Sequence, residues 1–141
     1  MLITRIWKSL PGKYFCISSK DQHDQWHDEF FKRSELGEVD SYIKDNEDKD
    51  LYWCPHGLSK PRRLNKFTEA PMIMWADLDE ADPREMNGYM PTVAWESSPG
   101  RYCGIWMIDK FVTETLNKRL SYEIGADKGG WDFTQVLRIP G

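Results

Sequence analysis

The segment Pro71 to Glu80 reads PMIMWADLDE, an apolar run that ends in two carboxylates. A run this short and this apolar fits a strand buried on both faces better than a helix, so the chain must build a sheet around Met72 to Leu78. Asp77 and Asp79 then stand two apart at the strand's end. Strand alternation projects such residues to the same side, roughly 6 to 7 Å apart along the chain. Two carboxylates on a rigid strand end can hold one Mg²⁺ or Mn²⁺ or bridge two, the arrangement that clamps the attacking and leaving oxygens in phosphoryl transfer. Acidic residues also collect wherever strands leave a sheet, so the pair takes its meaning from the rest of the chain.

That chain is 141 residues long, 40% hydrophobic and 13% aromatic with seven tryptophans. It can bury a core, and the reading is a single domain with an N-terminal α/β part over residues 1–50 and a catalytic part over 51–141. No stretch of 18 apolar residues occurs, and Arg5, Lys8, Lys13 and Lys20 interrupt the first 20 residues. The expectation is a soluble cytoplasmic protein without a membrane partner. Cys16, Cys54 and Cys103 are too few for a disulfide framework and fit a reducing compartment. Cys54 and His56 lie two apart, but no further Cys or His pair completes a zinc site, and Cys16 and Cys103 read as small core residues. The net charge of -4 hides an asymmetry: residues 21–50 hold eleven acids against four bases, a balance of -7, which leaves +3 for the remainder. Lys60, Arg62, Arg63 and Lys66 make residues 55–70 a basic loop suited to phosphates.

Along the chain the sequence predicts strands at Leu2 to Trp7 and Tyr14 to Ser18 around a Pro11-Gly12 turn, then a helix near Trp26 to Leu36. An acidic frayed helix or loop follows over Asp40 to Asp50, and a short strand at Leu51 to Cys54. After the buried strand, Asp82 to Met90 reads as a connection with a helical turn. Thr92 to Glu96 and Tyr102 to Ile108 read as a hairpin whose Pro99-Gly100 fits a type II turn. Val112, Leu116, Leu120 and Ile124 recur every four residues as one helix face that Gly125 closes, and Thr134 to Ile139 reads as a last strand. The pattern predicts an α+β fold, a split βαβ sheet of the RNA-recognition type with helices on one side and an open face on the other.

Two further clusters bear on chemistry. Glu96-Ser97-Ser98-Pro99-Gly100-Arg101-Tyr102 offers hydroxyls, a glycine that admits a ligand to the backbone, and an arginine fork; it suits a triphosphate, and it is also an ordinary surface turn. In the segment from Gly125 to Gly141, Asp132 opens the last strand. If that strand pairs beside the one bearing Asp77 and Asp79, three carboxylates meet and call for a cation. Lys128 and Arg138 could neutralise phosphate nearby.

Taken in order, WADLDE, PTVAWESSPGRYCGIW and GADKGGWDFTQVLRIPG resemble the archaeo-eukaryotic primase superfamily, specifically the RepB-like and primase-polymerase catalytic domains of plasmid and phage replication proteins. The resemblance spans roughly residues 51–141. It implies that Asp77 and Asp79 bind catalytic divalent metals and that Asp132 supplies a third acid. The family's second motif ordinarily carries a serine and a histidine; here Ser98, Arg101 and Tyr102 occupy the region, with Arg101 in the place of a phosphate contact. The resemblance also implies a domain belonging to a longer replication protein that works with a helicase in cis or in trans.

The resulting expectation is a DNA primase or primase-polymerase, a nucleotidyltransferase with two Mg²⁺ or Mn²⁺ ions on Asp77, Asp79 and Asp132. Ser98, Arg101, Tyr102, Lys128 and Arg138 would meet the nucleoside triphosphate, and Lys60, Arg62 and Arg63 a single-stranded DNA template. Two other readings use the same residues: a non-catalytic single-stranded nucleic-acid binding module whose tryptophans stack bases, and a metal-dependent nuclease.

Overall fold

In the computed structural model, which describes residues 1–140, the chain divides into two compact units. The first comprises Met1–Glu69 with Val136–Ile139. Its sheet is antiparallel, in the order β2-β1-β3-β7, formed by β1 (Tyr14–Lys20), β2 (Trp26–Lys32), β3 (Asp50–Trp53) and β7 (Leu137–Arg138). Helices α1 (Leu2–Lys8) and α2 (Val39–Asp45) complete it.

Two local expectations are corrected here. Leu2 to Trp7 is a helix, not a strand: Ile3, Ile6, Trp7 and Leu10 are the buried apolar positions, and that spacing is the helical period. The Trp7 ring stacks on Phe15 at 5.3 Å and its indole N–H donates to the Cys54 carbonyl at 2.9 Å, which anchors α1. Trp26 to Leu36 is not a helix but β2 followed by a 3-10 stretch at Arg33–Glu38. The turn before it decides this. The Asp21 carboxylate accepts the N–H groups of His23 and Gln25 at 2.8 and 3.0 Å, and Asp24 takes φ 59, so the chain folds back on β1 instead of running on as a helix.

The second unit is centred on Ala70–Gln135. Here β4 (Ile73–Asp79), β5 (Val93–Ser98) and β6 (Arg101–Met107) form an antiparallel sheet in the order β4-β6-β5, and α3 (Glu114–Glu123) packs on it. Gly100 at φ 75 occupies the left-handed position of the predicted hairpin turn. Ala76, Leu78, Met86, Trp106, Leu120 and Ala126 make the core on the helix side. The mixed α+β class is as expected, and first-third-second is the strand order of a split βαβ sheet.

The fourth strand departs from expectation. Thr134 to Ile139 shortens to β7, which pairs with β3 in the first unit's sheet and not with β4. The free edge of β4 is closed by other means: Asn117 on α3 accepts the Trp75 N–H at 2.9 Å, and the Asp127 N–H donates to the Asp77 carbonyl at 2.8 Å. Those two groups are taken and cannot pair with a further strand. The face opposite α3 is also not open along its length. Ile73, Trp75 and Ile105 are fully buried, and the Phe133 ring lies 5.7 Å from Trp75. No helix among the described residues is long and apolar enough to cross a membrane.

Candidate active site

Asp77 and Asp79 stand at the end of β4, as the apolar run requires, but the strand does not finish as a plain pleat. Asp77 lies opposite Cys103 and Asp79 opposite Tyr102, so two residues of β4 span one step of β6 and a bulge falls between the acids. Asp79 sits at φ 53, a conformation that Asp tolerates better than most residues. The Asp77 carboxylate accepts the Asp79 N–H at 3.3 Å and so stabilises the kink its neighbour makes. Bulges and left-handed non-glycine residues of this kind re-aim side chains beside active sites.

Around this end the second unit gathers charge. Arg101, first residue of β6, forms an ion pair with Asp79 and approaches Glu80 at 3.9 Å. On the other side the loop after α3 lies against Asp77: beyond the Asp127 backbone bond, a side chain at Gly130 would reach the Asp77 Cβ at 3.3 Å. Burial raises the pKa of Asp77, and the carboxylates of Asp127 and Asp79 raise it further, against the hydrogen bond from the Asp79 N–H and the weaker pull of Arg101. Asp127 is therefore the third acid acting at this end of β4. Sequence reasoning did not select it, because the bond joining it to Asp77 spans 50 residues and leaves no periodic trace.

Asp132 makes contacts of a different kind. Its carboxylate accepts both the N–H and the hydroxyl of Thr134, and its carbonyl accepts the Gln135 N–H at 3.1 Å, a compact local turn. The strand pairing expected to carry it toward Asp77 and Asp79 does not form. Lys128 lies next to Asp127, with its ammonium 5.3 Å from the Tyr122 ring and its carbonyl accepting the Trp131 indole N–H at 2.7 Å. Ser98 is exposed at the hairpin tip, where Glu96 accepts the Gly100 N–H at 2.8 Å and shapes the turn. Tyr102 lines a cleft of about 420 Å³ with Pro83, Arg84, Met90, Pro91 and Trp95.

The remaining candidates belong to the first unit. Arg138 forms an ion pair with Asp50 at 3.1 Å and lies 5.2 Å over the Tyr52 ring. Lys60 and Arg62 are exposed, and Arg63 pairs with Asp28 at 3.3 Å. Cys54 and His56 are fully buried with sulfur and Nε2 3.6 Å apart; burial raises the thiol's pKa, but the adjacent imidazole outweighs it and holds the thiol below its ordinary value.

A divalent ion suits the acidic end of β4 on two grounds. The donors are carboxylate oxygens, and Asp77, whose pKa is raised first by burial and then by the charges of Asp127 and Asp79, is a half-buried acid that a cation would relieve. Among the described residues no three His, Cys, Asp or Glu side chains form a ready-made cage. Mg²⁺ needs none, since it commonly binds one or two carboxylates and completes its shell with water and substrate phosphates.

The family described as the RepB DNA-primase N-terminal domain matches residues 59–141. Among solved structures, the catalytic domain of primase RepB' in complex with initiator DNA superposes with a TM-score of 0.66 at 20% identity, covering 96% of this chain and 72% of that one. Primase RepB' itself superposes with a TM-score of 0.66 at 19% identity, and there the chain spans 47% of its length. At these identities the structural likeness is one of fold. No curated protein matches the sequence.

Proposed function

Since the chain belongs to the RepB DNA-primase N-terminal domain family, we propose that it is the catalytic domain of a plasmid or phage replication primase, making primers by template-directed nucleotidyl transfer. The observation that carries this reading is the acidic end of β4, where burial and two neighbouring carboxylates raise the pKa of Asp77.

Asp77 and Asp79 would hold divalent ions, Mg²⁺ or Mn²⁺, with a third carboxylate from the loop after α3. Asp127 is the acid found against Asp77, and Asp132 is the acid the family's motif order implies. When bound, two such ions lower the pKa of the attacking hydroxyl and stabilise the leaving pyrophosphate. Arg101 acts from the other side. Its guanidinium neutralises Asp79 before substrate arrives, and a fork of that geometry can turn to a phosphate once a cation takes over the carboxylate. Lys128 and the Ser98 hydroxyl lie on the two loops that flank the acids and would bind the triphosphate. Tyr102, in its cleft, would bound the nucleotide, and Arg138 would be a further phosphate contact. Lys60, Arg62 and Arg63 would guide a single-stranded DNA template, with a helicase, in the same or another chain, supplying that strand.

Primer synthesis on a single-stranded template with Mn²⁺ and nucleoside triphosphates tests the proposal. Product from the wild-type chain that disappears in the Asp77→Ala, Asp79→Ala double variant is expected. No product from the wild type, or undiminished product from the variant, refutes it. One observation favours a second reading, a single-strand binding module without turnover. Trp26 is half-exposed on β2, 5.1 Å from the Tyr52 ring, with Lys20 5.7 Å from its own ring and Arg138 over Tyr52, an aromatic surface of the sort on which bases stack. Template binding that persists in EDTA without nucleotide incorporation would decide for it, and degradation of a labelled oligonucleotide without added nucleotides would indicate a nuclease.

A further inference from the structure

Asn117 is the one fully buried side-chain amide of α3, and both its arms are engaged. Its Oδ1 accepts the Trp75 N–H on β4 at 2.9 Å, and its Nδ2 donates to the Trp131 carbonyl at 2.9 Å. A buried amide in mid-helix is costly unless fully satisfied, so its two partners define what it does there. One partner lies two residues before Asp77. The other closes the loop that begins with the Asp127 N–H on the Asp77 carbonyl and passes Gly130 over the Asp77 Cβ. The loop from Asp127 to Trp131 is thus pinned to β4 at both ends, by its own backbone at the first and by Asn117 at the second. The Trp131 indole, donating to the Lys128 carbonyl at 2.7 Å, braces the span between.

We infer that Asn117 is a positioning residue for the acidic site: by holding Trp131 it keeps the Asp127 loop against Asp77, and so sets the separation of the carboxylates that would share a cation. The amide touches neither metal nor substrate and acts only through the loop. The inference rests on the proposed metal site, though not on primer synthesis itself. Partners that orient ligating groups typically affect metal affinity by 10- to 100-fold, which sets the scale of the effect.

The test uses Mn²⁺ alone, with bound and free ion measured by electron paramagnetic resonance on the whole chain. Asn117→Leu, which keeps the branched outline of the side chain but cannot hold either partner, is expected to weaken Mn²⁺ binding by about tenfold. Leu120→Ala, one turn along the same helix in the core, is the control for general destabilisation and is expected to keep wild-type affinity. Equal weakening by both variants, or unchanged affinity in Asn117→Leu, overturns the inference. Hydrogen exchange in the wild type needs no variant to fold: Mn²⁺ is expected to slow exchange at the Asp127 and Gly130 amides, and an unchanged rate there overturns the inference as well. Wild-type chain that binds Mn²⁺ but makes no primer would sink the proposed activity and leave Asn117's role intact, whereas a wild type that binds no Mn²⁺ sinks both.

Discussion

Asp77→Asn is expected to stabilise the metal-free protein while removing its activity. The substitution keeps the shape of the side chain and leaves an oxygen to accept the Asp79 N–H, so the bulge at the end of β4 survives. What it removes is a half-buried negative charge facing the carboxylates of Asp127 and Asp79. Partly exposed charge pairs contribute about 0.2 to 1 kcal/mol each, and Arg101 offsets part of the repulsion, so the relief from two acids amounts to about 1 kcal/mol. For a chain of this size that raises the unfolding midpoint by about 3 °C.

The pH dependence fixes the sign. Folding raises the pKa of Asp77, so between the ordinary carboxylate value and the raised one the folded chain binds more protons than the unfolded one. Wild-type stability from this group is therefore full at low pH and lost as pH rises through the folded value. Asn does not titrate, and the variant's advantage grows from nothing near about pH 4 to its full size at neutrality. Thermal unfolding in EDTA across that range measures it. Adding Mn²⁺ at a hundred times its dissociation constant should reverse the order, because the wild type alone gains about 2.7 kcal/mol from binding. A variant no more stable than wild type in EDTA at neutral pH, or midpoints that rise equally with Mn²⁺, would refute the reasoning.

Three other substitutions separate the parts of the site, and a fourth tests the packing of the first unit. Asp127→Asn is expected to weaken Mn²⁺ binding by at least about tenfold, and Asp132→Asn by less, since Asp127 is bonded to Asp77 through its backbone while the Asp132 carboxylate is engaged by Thr134; the opposite ranking would move the third ligand to Asp132. Arg101→Ala frees Asp79, so Mn²⁺ binding should be undiminished while the KM for nucleoside triphosphate rises about tenfold, the worth of one charge-assisted hydrogen bond; a changed kcat with constant KM would argue against phosphate contact. Gly12→Ala should cost about 3 kcal/mol in urea unfolding, because Gly12 has φ 145 and a Cβ there would meet the Gly57 Cα at 2.6 Å.

How much of this could be read from the sequence depended on the range of the interaction involved. The core strand β4, the β5–β6 hairpin and α3 were legible because apolar period and one left-handed glycine, Gly100, act over a few residues. Periodicity failed where short segments satisfy two templates at once. Leu2 to Trp7 is apolar enough for a strand, and only burial at Ile3, Ile6 and Trp7 shows the helix. Even within α3 a repeat of four is imperfect, since each such step drifts by about 40° around a helix of 3.6 residues per turn. The stripe Val112, Leu116, Leu120, Ile124 accordingly leaves Leu116 38% exposed, while the buried face runs through Asn117, Leu120 and Ser121. A polar residue one step off an apolar stripe was the available sign that this helix bonds to something beyond the core. The motif order directed attention to Asp132, whereas the geometry sets Asp127 beside Asp77, and what separates the two readings is a pair of long-range bonds: Asp127 to Asp77, and Asn117 to Trp131. Both bonds end on backbone carbonyls, which every residue carries, so residue identity at their acceptor ends holds no trace of them.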